Sequence, residues 1–93
     1  MKSINCKVKQ FEGNNGAVKN QFIVETSEGV FFQSYNSMIA FKPNNGGKIQ
    51  LDSNYWDYSK TTGKYRNLFL YETKKETEQK INSGEYELTN LNN

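Results

Sequence analysis

The chemistry open to a protein is limited first by its side chains, and this chain has no histidine and a single cysteine, Cys6. A Cys/His zinc site, a Cys-His nucleophile pair and an intramolecular disulfide are therefore out of reach. Cys6 lies between Ile4 and Val8 in an alternating stretch, which reads as a small hydrophobe on the inward face of a strand. Asp52 and Asp57 are the carboxylates closest to an acid/base pair, but their spacing is that of turn and cap residues. Thr61-Thr62-Gly63-Lys64 has the outline of a phosphate-binding loop. The glycine required five positions before the Gly-Lys pair is missing, and Tyr65 stands where Ser or Thr would hold the metal. No enzyme, metal or cofactor is expected.

A different chemistry, that of contact, is concentrated between Asn54 and Arg66. Four aromatics, Tyr55, Trp56, Tyr58 and Tyr65, are interleaved there with Lys60, Lys64 and Arg66. On one reading Trp56 and a tyrosine close the end of a sheet, Asp57 and Ser59 satisfy helix N-terminal amides, and the lysines are solvated. On the other, part of the set is exposed and binds a partner, since Trp, Tyr and Arg dominate protein interfaces. The same residues suit single-stranded nucleic acid, where each stacked base contributes about 1 to 3 kcal/mol and cations follow the phosphates. These seven residues are the candidate partner-binding site, with both partner classes open. The net charge of +2 is too balanced to mark a dedicated nucleic-acid binder.

Ninety-three residues are enough for one core, so a single domain is expected over 1–93, β-rich over 2–51, helical over 59–83, with a final short strand at 85–89. Six Phe, six Tyr and one Trp must supply much of the buried area. Ile4, Cys6 and Val8 alternate with Asn5, Lys7 and Lys9, predicting a strand from Lys2 to about Glu12 with the lysines in solvent. Turn residues at 12–16 lead to strands over 21–26 and 30–35, joined by Ser27-Glu28-Gly29. Further strands follow at 37–42, ended by Pro43, and at 48–51. Tyr65, Leu68 and Phe69 fall at helical spacing and, with Ser59, Thr61 or Thr62 as candidate N-caps, predict a helix over about 60–71. Thr73 and Glu76 have the form of a capping box, Glu76 and Lys80 that of an i, i+4 pair, and Gly84 that of a stop. Ile81 is the one strong anchor of this second helix, and Leu91-Asn92-Asn93 reads as a frayed tail. The fold class is α+β, a curved antiparallel sheet of about five to six short strands covered by one or two C-terminal helices.

If one side of that sheet stays open, either Val30, Phe32 and Ser34 or Phe31, Gln33 and Tyr35 face away from the core. An uncovered aromatic there is a second contact candidate. Edge strands leave monomer and homodimer equally open. No apolar run approaches the length of a membrane span, and the start of the chain lacks a signal-peptide core, so a cytoplasmic protein without membrane contact is expected.

Phe31-Phe32-Gln33-Ser34-Tyr35 with Ile39-Ala40, then Trp56-Asp57-Tyr58-Ser59-Lys60-Thr61-Thr62 and the stretch from Lys64 to Leu70, resemble a family of small uncharacterised proteins of phages and prophages of low-GC Gram-positive bacteria. The resemblance spans roughly residues 21–72 and carries no assigned activity. It implies a phage-encoded accessory protein in a host cell, acting by protein–protein binding on a host or competitor protein such as a defence or replication protein. The alternative it leaves is a single-stranded nucleic-acid-binding accessory factor.

Overall fold

A computed structural model describes residues 6–13 and 16–92. Six strands form one sheet in chain order: β1 (Cys6–Gly13), β2 (Gly16–Thr26), β3 (Gly29–Ser34), β4 (Ser37–Pro43), β5 (Gln50–Asp52) and β6 (Glu87–Thr89). Between β5 and β6 run two helices, α1 (Lys60–Leu70) and α2 (Lys74–Ser83). The first four pairings are antiparallel, whereas β6 joins β5 in parallel. That last pairing departs from an all-antiparallel expectation for a simple reason. A parallel neighbour requires a crossover of a dozen or more residues, and the two helices supply it.

The register decides which aromatic is core. Ile23, Phe32, Ala40 and Leu51 are paired across four strands and so share one face. Phe69 and Leu70 of α1 pack on it together with Phe11 and Ile39, while Ile81 of α2 lies half-buried at its margin. Phe11 meets Phe32 and Tyr65 edge-on at 5.6 and 5.5 Å, the geometry that the ring quadrupole favours. Of the two alternatives for strand three, Val30, Phe32 and Ser34 therefore face the helices, and Phe31 and Gln33 face away. Ile39 is the extra residue of a bulge in β4, which turns it into the core.

Three expectations are corrected. Cys6 is exposed and Val8 is 61% exposed, because their pairing with Thr26 and Val24 puts them on the sheet face turned away from the helices. Ile4, in the same expected strand, lies outside the described residues. The tail is tied down: Leu91 N–H donates to Asp52 Oδ1 at 2.8 Å, and the Asn92 side chain bonds both the amide and the carbonyl of Met38. The Glu76–Lys80 pair does not form. Glu76 closes the capping box with Thr73, and Lys80 reaches Glu72 at 2.7 Å.

Candidate functional site

The segment that enters α1 is built from a buried acid outward. Asp52 is fully buried at the end of β5, and its carboxylate accepts the amides of Asn54 and Tyr55 at 3.0 and 2.9 Å and that of Leu91 from the tail. Its carbonyl accepts Trp56 N–H at 3.0 Å. Four amides on one aspartate fix the loop of residues 53–56 from inside, with every acceptor used. Asp52 is thus a structural anchor, as its turn-like spacing suggested.

Arg66 holds the other side. Its guanidinium donates to Trp56 O at 2.8 Å, Asp57 Oδ1 at 3.0 Å and Asn67 Oδ1 at 2.8 Å, and lies 5.2 Å from the Trp56 ring centre. The side chain is 1% exposed, and only its Nε lacks a partner. Asp57 also pairs with Lys74 of α2 at 2.7 Å. Burial alone would raise the Asp57 carboxyl, but the bonds from Lys74 and Arg66 outweigh it and hold the group below the usual aspartate range. Ser59 caps α1 by accepting Thr62 N–H at 3.1 Å. Thr62 in turn shares a buried 2.9 Å hydroxyl contact with Ser34 of β3, which docks the first turn onto the sheet.

The seven expected contact residues are therefore split. Arg66 belongs to the interior and cannot offer its charge to a partner in this arrangement. Trp56 and Tyr65 are half-buried, one against Arg66 and the other against Phe11. Tyr55 and Tyr58, 38% and 46% exposed, form an edge-on pair 5.5 Å apart at the surface. Lys60 and Lys64 are exposed one helical turn apart on α1. Beside them is a hollow of about 470 Å³ lined by Asp57, Lys60, Gly63, Lys64, Arg66 and Lys74. Lys74 is the residue that the sequence did not bring forward; it sits on the next helix and reaches the site only through Asp57.

A second cluster joins the helices to the sheet edge. Glu72 accepts bonds from Thr77 Oγ1 at 2.6 Å, Lys80 Nζ at 2.7 Å and Tyr86 Oη at 2.9 Å. Burial pushes its carboxyl up, yet the three donors prevail and keep it below the ordinary glutamate value. Burial and the bond to Glu72 push the Tyr86 phenol up to about 12. All four groups are consumed by one another, so the cluster braces α2 against the two segments that link it to α1 and to β6.

The model of a family described as a family of unknown function (DUF8033) matches residues 5–85. No curated protein and no solved structure matches the chain.

Proposed function

We propose that this chain, which belongs to the family of unknown function DUF8033, works by binding another protein through the surface formed by Tyr55, Tyr58, Lys60 and Lys64. The observation that carries the reading is the contrast between the inside and the outside of one short segment. Asp52 and Arg66 take up its backbone groups from within, while two tyrosines and two lysines stand free on the outside. A rigid aromatic pair costs little entropy to immobilise, which is how small interfaces reach useful affinity. The resemblance around the Trp-Asp-Tyr-Ser-x-Thr-Thr stretch supports a phage accessory protein whose partner is a host or competitor protein, with inhibition of a defence or replication protein as the outcome.

The test is capture from host cells by the tagged chain, side by side with a variant carrying Tyr55→Ser, Tyr58→Ser, Lys60→Gln and Lys64→Gln. A partner retained by the parent chain and absent from the still-folded variant is expected. A partner held equally by both sinks the reading.

One observation favours a second reading, single-stranded nucleic acid. The hollow beside α1 carries Lys60, Lys64, Lys74 and Arg66 against a single carboxylate, Asp57. Two of those cations are already paired to Asp57, leaving the exposed pair Lys60 and Lys64 for phosphate. Binding to an oligonucleotide would fall linearly in log affinity with log salt, with a slope of roughly −0.7 per phosphate contact. Absence of binding to single strands even at low salt removes this reading.

A further inference from the structure

We infer that the sheet face turned away from the helices is the interface of a homodimer in which two copies pack sheet on sheet. This rests on a different surface from the Tyr55 to Lys64 site and stands independently of it.

The pairing places three rows of side chains on that face. The central row runs Val8, Val24, Phe31, Phe41, Gln50 across β1 to β5 and ends at Glu87 on β6. Gln10, Phe22, Gln33 and Met38 flank it on one side, and Cys6, Thr26 and Pro43 on the other. Phe31 and Phe41 stack at 4.3 Å in its centre. Among the described residues, α1 packs on β3 and β4 from the opposite face, where Phe69 and Leu70 meet Phe32 and Ala40.

The charges of the same strands show what the face is for. Lys7, Lys9, Glu25 and Lys42 all have the opposite parity and project on the helix side, where Lys9 and Glu25 pair at 3.0 Å. Among the described strand residues, the charges on the open side lie at the margins of the three rows: Glu12 and Lys19 on the β1–β2 hairpin beyond the Phe11 bulge, Asp52, enclosed by backbone amides at the far end of β5, and Glu87 on the edge strand. An open sheet face normally carries the charged half of each strand. Here the three rows carry no charge from β1 to β5, the charged residues being confined to their margins, which is the depletion found at the centres of protein interfaces.

The absence of charge also selects the occupant. A partner with an ordinary charged surface would bury its ions unpaired against this face at a cost of several kcal/mol each. A second copy presents the same uncharged rows, so a two-fold arrangement is self-complementary without any pairing requirement. Two such sheets pack about 10 Å apart with strands inclined by about 30°. Five strands at about 4.8 Å and three rows of side chains give a footprint of roughly 24 by 20 Å per copy. Both faces together bury about 1,000 Å², the threshold for a specific interface, so dimerisation is expected at micromolar chain concentrations rather than below.

Sedimentation equilibrium of the full chain from about 1 to about 300 μM tests this, since dissociation constants in that range shift the weight-average mass across the series. The mass is expected to rise toward that of two chains. In the double variant Gln10→Lys, Gln33→Lys, which places two charges on the face at residues outside the core, it is expected to stay at one chain. Lys7→Gln, on the opposite face, should dimerise like the parent. A parent chain that is monomeric throughout overturns the inference and leaves the face to a partner of another kind. A parent dimer that persists unchanged in the double variant also overturns it, because the contact then lies elsewhere.

Discussion

Arg66 carries a full charge where no water can reach it. Three oxygens and the Trp56 ring compensate the lost hydration, and the aliphatic stem fills the junction between α1 and the segment before it. Removing it leaves Trp56 O without its donor and opens a void, so Arg66→Ala is expected to lower the unfolding free energy by about 3 kcal/mol in urea titration. A loss below about 1 kcal/mol would show that the guanidinium is not the brace described. Gly63, one turn earlier in α1, invites the opposite change. A methyl group there would meet Asp57 and Arg66 atoms at 3.5 to 3.7 Å, ordinary contact distance. Gly63→Ala is therefore expected to stabilise the protein by roughly 0.5 to 1 kcal/mol, read from the same titration.

The face that α1 buries explains why Arg66 was legible as important and illegible as to role. Tyr65, Leu68 and Phe69 stood out by spacing, yet the buried stripe is Thr62, Arg66, Phe69 and Leu70, and Leu68 is exposed. Spacing of i, i+4, i+7 and i+8 is present in that stripe, but it registers only if a threonine and an arginine are admitted as core residues. Local signals fared better: the Ser59 cap, the Thr73–Glu76 capping box and the Gly84 stop each depend on residues within four positions. The Glu72 brace depends on partners up to fourteen positions away and left no mark in the pattern. Its pH behaviour follows by sign. Tyr86 and Lys80 both lose protons less readily in the fold than in the unfolded chain, so they contribute stability below about pH 10 that is lost as pH rises toward 12. Tyr86→Phe should flatten the alkaline limb of a stability profile measured by urea unfolding between pH 8 and pH 11.5. Glu72 and Asp57 are held below their ordinary values of 4.5 and 3.8, so stability present at neutral pH should fall as pH drops through those values and below.

Across the whole molecule, alternation located the strands but not which of their faces the helices cover. Cys6 and Val8 alternate as inward residues do, but the register sets them in line with Thr26 and with Val24 and Phe31, on the face that the helices do not cover. The thiol is therefore open to solvent and should react with a disulfide reagent in the native state as fast as in denaturant. Protection of Cys6 only at high chain concentration would place it at the rim of the sheet-on-sheet dimer. The same asymmetry gives the molecule two unlike surfaces: a sheet face with an uncharged centre, and a cationic, tyrosine-bearing shoulder where the sheet meets α1. The shoulder is where we place partner binding. Titration calorimetry of the captured partner against the parent chain and the Tyr55, Tyr58, Lys60, Lys64 variant tests this most directly. With two tyrosine anchors each worth 1 to 2 kcal/mol, a loss of about 100-fold in affinity with an unchanged melting temperature is predicted. Equal affinity of the two folded proteins would contradict it.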